Sequence, residues 1–134
     1  MCRRNNQFLT EDLEAIDKAD NLKISPFRAD GMTYGTPTWI WSVVVNDELY
    51  VRAYNGIHSR WYQSAIKQKA GRIHAAGWVK AVAFEILEDD HINEKIDEAY
   101  KIKYSKSAYL LPMISDSTKR ATVKIIPISN NETL

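Results

Sequence analysis

The chain is poor in the residues that staple or punctuate a fold. Its 134 residues include one cysteine, Cys2, so no internal disulfide can form. Its three histidines, His58, His74 and His91, are far apart and lack metal-ligand spacing, so no metal site is expected. Eighteen lysines and arginines against seventeen aspartates and glutamates leave a net charge of +1, which argues against nucleic acid or an anionic membrane as a partner. The longest apolar run, Trp39 to Val45, is interrupted by Ser42 and is far too short to span a bilayer. No P-loop, nucleophile elbow or dinucleotide glycine fingerprint occurs. The polar start "CRRNNQFLTEDLE" carries no secretory pattern, and the expectation is a cytoplasmic protein.

What is present is ordinary globular material, 45% hydrophobic and 26% charged, of a length that suits one domain. That domain is expected over 1–134, with loose polar ends such as "SNNETL". Leu9, Leu13 and Ile16 recur at helical spacing behind Thr10, a candidate N-cap, and predict a helix from about Thr10 to Ala19. Pro26 forces an extended stretch, and Ala29 to Pro37 reads as loop. Trp39 to Val45 and Leu49 to Tyr54 read as strands around the turn Asn46-Asp47. Ser59 is placed to cap a helix running to about Lys69. A second hairpin turns at Ala76-Gly77, Ile92, Ile96, Ala99 and Tyr100 mark another helix, and Thr122 to Ile126 form a last strand. The fold class is α+β, an antiparallel sheet or small barrel with peripheral helices.

The first hairpin carries the most information. A two-residue turn sets Val45 opposite Glu48, Val43 opposite Tyr50, Trp41 opposite Arg52 and Trp39 opposite Tyr54, all on one face. Ile40, Ser42, Val44, Leu49, Val51 and Ala53 fill the other face, which is small and aliphatic and suits a barrel interior. The aromatic face is therefore outside, and a helix, another subunit or a flat ligand must cover it. A covered Arg52 needs a partner, because a buried charge left unpaired costs about 3–5 kcal/mol. Stacking on Trp41 alone returns only about 0.5–2 kcal/mol. Close by, a helix start with Ser59 and Arg60 offers free N–H groups, a hydroxyl and a second guanidinium, a combination suited to phosphate. Two readings stay open: a planar ligand with a phosphate tail, or Arg52 paired to a carboxylate such as Glu48, Glu85 or another under the first helix.

Other features have simpler explanations. The acidic run Glu88 to Glu98 reads as a helix start and solvated face rather than paired catalytic carboxylates. "YKIKYSKS" (Tyr100 to Ser107) reads as a basic helix end rather than a nucleic-acid contact. His58 reads as a solvated loop residue, and Met32 and Met113 as packing.

The blocks "GTPTWIWSVVVNDELYVRAYNG", "SRWY", "KAGRIHAAG", "IDEAYKIKY" and "ATVKIIP", in this order, resemble the bacterial domain-of-unknown-function family numbered 2255 from about Asp12 to Pro127. That family is grouped with the flavin-binding split barrels, which include pyridoxamine-phosphate oxidases and deazaflavin-dependent nitroreductases. The resemblance implies a small antiparallel split β-barrel and a homodimer binding a small molecule at the subunit interface. It implies FMN or a deazaflavin as cofactor, with Arg52, Ser59 and Arg60 on the phosphate and Trp39, Trp41, Tyr50 and Tyr54 along the ring. It further implies that Lys67, Lys69 and Arg72 reach a neighbouring subunit's ligand. The chain departs from the nitroreductases in lacking their glycine-arginine-lysine-serine-glycine turn, and from the oxidases in lacking their denser set of basic residues. The function expected is a flavin-dependent oxidoreductase acting on a small molecule, with no catalytic side chain identified. The alternative is a non-enzymatic dimeric split barrel that has lost the cofactor and serves as a binding or structural module.

Overall fold

A computed structural model describes residues 8–19 and 21–128. Cys2 and the polar tail "SNNETL" lie outside the described residues. The elements in order are helix α1 (Thr10–Ala19), strands β1 (Lys23–Pro26), β2 (Thr38–Trp39), β3 (Ser42–Val45) and β4 (Glu48–Arg52), then helix α2 (Arg60–Gln68). Strands β5 (Ala70–Ala75) and β6 (Trp78–Ile86), helices α3 (Asp90–Lys103), α4 (Leu110–Met113) and α5 (Asp116–Lys119), and strand β7 (Thr122–Pro127) complete the set. The strands form one antiparallel sheet in the order β2-β1-β5-β6-β7-β4-β3, curled into a half-barrel with helices around it. This is an α+β split barrel.

The local chemistry explains the turns. Asn46 and Asp47 both adopt positive φ, 52° and 64°, the pair a tight hairpin with right-handed strand twist requires. Val45↔Glu48 and Val43↔Tyr50 then face each other in the expected register. Ala76 and Gly77 turn the second hairpin in the same way. At the start of α3, Asp89 caps by accepting from Ile92 N at 3.1 Å. Thr10, expected as the cap of α1, is already its first helical residue.

The core has two parts. Ile40, Leu49, Val51 and Ala53 point inward with Ile24, Ile73, Val82 and Ile125, the barrel interior that the hairpin pattern implies. Outside the barrel, Val43, Val45 and Tyr50 pack under α3 against Ile96, Tyr100 and Tyr104. Of the three covers open to the aromatic face, a helix takes this part of it.

One expected strand is two. β3 pairs with β4 only from Ser42, while Thr38 and Trp39 pair with Ile24 and Lys23 at the far edge of the sheet. Trp39 therefore stands opposite Lys23, not Tyr54, and Trp41 lies outside the ladder opposite Arg52. The chain crosses between the two sheet edges through Ile40 and Trp41, and α3 supplies the hydrogen bonds that the broken ladder lacks. Tyr100 Oη donates to Trp41 O at 3.2 Å, and Lys103 Nζ donates to Ser42 O at 2.7 Å.

Candidate functional site

Arg52 ends β4, and at 1% exposure it is among the largest fully buried side chains. Its guanidinium is surrounded by acceptors. Nε donates to Thr122 Oγ1 at 3.0 Å. Nη1 donates to Asp97 Oδ1 at 2.6 Å and to Met113 O at 3.1 Å. Nη2 donates to Asn93 O and Oδ1 at 3.1 and 2.9 Å. All five N–H groups are thus engaged. The anion that Arg52 requires is Asp97, on α3, with Lys119 on the other carboxylate oxygen at 3.1 Å. The expectation that Arg52 grips phosphate is corrected accordingly, because no donor remains for it. Glu48, one of the sequence candidates, pairs with Lys124 instead.

Beside this buried network opens a cleft of about 650 Å³, a volume in the range of small-molecule sites. Arg52 and Met113 touch its floor, and four elements build its walls. The crossing segment brings Thr38, Trp39, Ile40 and Trp41. The loop after β4 brings Tyr54, Asn55 and His58, the start of α2 brings Ser59, Arg60 and Trp61, and the chain before α4 brings Tyr109. Trp41 is held flat against Tyr104, with ring centroids 3.9 Å apart and planes 3° apart, so its position is fixed by α3. Trp39 and Tyr54 are 57% and 47% exposed; Tyr109, 61% exposed, meets Tyr54 edge-on at 5.9 Å. Exposed rings of this size around a cleft are unusual on a surface with no partner. Tyr50 is not among the lining residues. It is buried beneath α3, which raises its phenol pKa by desolvation above all, so its expected role on the ring wall is corrected too.

The cleft's polar end is the α2 N-terminus. Gly56, at φ +71°, lets the loop fold into a short turn over Gly56–His58, where a Cβ would come within 3.3 Å of Ser117 O. Ser59 then takes an extended conformation at the N-cap, and its carbonyl accepts from Gln63 N at 3.0 Å. Its side chain makes no cap hydrogen bond, although the residue is only 8% exposed. The first-turn N–H groups of α2 and a hydroxyl not used in capping therefore meet at one end of an aromatic cleft. Arg60, exposed and in no ion pair among the described residues, adds a cation. These residues fit a phosphate, and the indole and phenol walls fit a planar ring.

Of the expected site residues the structure brings together Trp39, Trp41, Tyr54, Ser59 and Arg60, with Arg52 beneath them. It adds Trp61, Tyr109 and Met113. Trp61 was legible as the residue after Ser59-Arg60 in "SRWY". Tyr109 and Met113 come from a segment with no sequence periodicity, and only the surplus of apolar residues in "YLLPM" marks it. Among the described residues no cluster of His, Cys, Asp or Glu could hold a metal, and no helix is long and apolar enough to cross a membrane.

Residues 12–125 match the model of a family described as an uncharacterized protein conserved in bacteria, DUF2255. No functionally curated protein matches the sequence. Among solved structures, the chain is similar to the conserved hypothetical protein Rv2991 from Mycobacterium tuberculosis. The TM-score is 0.59 at 13% identity, over 97% of this chain and 86% of that one. It is also similar to a Listeria innocua protein described as "Putative Pyridoxamine 5'-phosphate oxidase". Here the TM-score is 0.59 at 12% identity, over 90% of this chain and 91% of that one. At such identities the likeness shows the fold.

Proposed function

Since the chain belongs to the DUF2255 family, whose activity is open, we propose from the cleft itself that it binds a phosphate-bearing flavin, FMN or a deazaflavin. In this reading it works in the cytoplasm as a homodimer, with the ligand near the subunit interface, and reduces a small molecule. The observation that carries the reading is the meeting of an aromatic cleft with the start of α2 and a Ser59 hydroxyl not used in capping. The description of the L. innocua protein as a pyridoxamine 5'-phosphate oxidase supports it. Such a cofactor supplies the hydride chemistry, leaving the protein to position it and keep water away. Ser59, Arg60 and the first-turn N–H groups hold the phosphate, while Trp39, Trp41, Trp61 and Tyr54 flank the ring.

The test is titration of the purified protein with FMN and with a deazaflavin, read by quenching of ligand fluorescence. Saturable quenching is expected, and Ser59→Ala and Arg60→Ala should each weaken binding about ten- to a hundredfold, the equivalent of one charge-assisted hydrogen bond. If neither ligand binds, or if both variants bind like wild type, the reading fails. One observation favours a second reading, a binding module that has lost its cofactor. The strand arginine expected to meet the phosphate is saturated by Asp97, Asn93, Met113 and Thr122. A protein that takes up neither ligand, yet remains folded, fits that alternative.

A further inference from the structure

The saturation of Arg52 leaves the polar end of the cleft short of positive charge. Its donors are spent on Thr122, Asp97, Met113 and Asn93, and the Asp97 carboxylate offsets its charge. Arg60 is then the one lining cation of the described residues whose charge is not already offset. No carboxylate, thiol or amine of the described residues lines the cleft. Histidine is the one residue type in that lining that ordinarily changes charge between about pH 5 and 8, and His58 is there.

The turn that carries His58 is pinned on both sides. His58 closes the short turn Gly56–His58, directly before Ser59 and Arg60 at the start of α2. Gly56 N donates to Ala53 O at 2.9 Å, Ser59 N donates to Gly56 O at 3.1 Å, and the Gln63 side-chain amide donates to Ile57 O. The His58 ring itself is exposed and makes no hydrogen bond or ion pair among the described residues, so its nitrogens are open to a ligand. The charged and titratable groups around it are few. Arg52, Arg60, Tyr54 and Tyr109 share the cleft, and α5, packed against the turn, carries Asp116 and Lys119, with Arg120 at its end. None of them is paired with His58, and Lys119 is paired with Asp97. Three consecutive residues thus bring an imidazole, a hydroxyl and a guanidinium to the positive end of α2.

We infer that His58 is the residue by which the cleft tells a phosphorylated ligand from an unphosphorylated one: its imidazolium joins Arg60 on the phosphate, and the contact is lost when the ring gives up its proton. The inference rests on the proposed flavin reading and deepens it, because it gives to His58 the charge that Arg52 does not supply. A cation present only on the acid side adds affinity there and none on the alkaline side. A phosphate monoester gains its second charge near pH 6, which acts in the opposite direction, so the effect is a ratio between variants at one pH. By linkage, the bound phosphate holds the proton on His58. A tenfold gain for the protonated form equals a rise of about one pH unit in the ring's titration midpoint.

Fluorescence-quenching titrations of the full chain with FMN and with riboflavin, from about pH 5.5 to about pH 8.5, test it. His58→Gln should bind FMN about tenfold more weakly than wild type at the acid end and equally at the alkaline end. His58→Lys should keep its advantage over His58→Gln across the whole range. Riboflavin, the same ring without phosphate, should bind all three proteins alike. By NMR, the titration midpoint of the His58 ring should move up by about one pH unit with FMN and stay in place with riboflavin. The ring is exposed, so neither substitution disturbs the core. An advantage of wild type over His58→Gln that does not change with pH overturns the inference, as does a midpoint that FMN leaves unmoved. FMN bound equally by all three proteins sinks this inference alone. A wild type that binds neither FMN nor riboflavin at any pH sinks the flavin reading and this inference with it.

Discussion

At the scale of single residues, Arg52 shows how far charge reasoning reaches. A strand-end arginine among aromatics demands an anion, and that much is legible in the chain. The anion's identity is not, because Asp97 lies 45 residues away on a helix whose rotation about its axis the sequence does not fix. The pairing predicts that Asp97→Ala destabilises the protein by about 3 kcal/mol, since it strands a buried guanidinium and releases Lys119 as well. Urea denaturation checks this, and a loss under about 1 kcal/mol would show that the neutral acceptors suffice alone. His74 supplies a pH prediction. Burial first, and then Arg72 and Lys23, lowers its pKa below the usual 6.5. Just below that pH the unfolded chain binds a proton that the folded chain refuses, so stability falls as the solution is acidified from about pH 7 towards 5. His74→Gln should flatten this slope in urea midpoints measured across the same range. A slope unchanged by the substitution would assign the effect to other groups.

At the scale of elements, legibility follows how local the determining interactions are. Both hairpin turns could be read because Asn46-Asp47 and Gly77 carry their own backbone preferences, while α1 and α3 show their apolar spacing and Ser59 marks the start of α2. The break between β2 and β3 could not be read, because it is made by Tyr100 and Lys103 of α3 capturing the Trp41 and Ser42 carbonyls. The four-residue helices α4 and α5 are too short for any periodicity, and tertiary bonds hold them. Thr118 Oγ1, for instance, donates to Met113 O at 2.8 Å. With α4 hidden, Tyr109 and one wall of the cleft stayed hidden too. The contact between β1 and β5 yields an element-scale prediction. A Cβ on Gly71 would lie 2.4 Å from Ser25 O and 2.6 Å from Pro26 Cα, both backbone atoms that cannot swing aside. Gly71→Ala should therefore push β1 off β5, cost roughly 1–3 kcal/mol, and speed hydrogen exchange selectively in β1. Uniform exchange across the sheet would mean that the strain is absorbed elsewhere.

At the scale of the whole molecule, the cleft is a consequence of how the sheet closes. β2 and β3 are neighbours in sequence but occupy opposite edges of the seven-strand order, so Ile40 and Trp41 must bridge the open side of the half-barrel. That bridge forms one wall of the cleft, α2 forms its polar end, and the chain before α4 forms the facing wall. These elements meet only in the native state, and the unfolded chain retains no comparable site. A ligand gathered by all of them must therefore stabilise the fold by mass action, by about 2.7 kcal/mol at a hundredfold excess over its dissociation constant. For a domain of this size that corresponds to a rise in melting temperature on the order of 5–10 °C. Calorimetry with FMN and with a deazaflavin should show the rise in wild type and most of it lost in Arg60→Ala. Asp97→Ala should start from a lower melting temperature but keep the full ligand-induced rise, because Arg52 holds the floor together without contacting the phosphate. If the rise vanished in Asp97→Ala as well, with the protein still folded, Arg52 would be shown to act on the ligand after all.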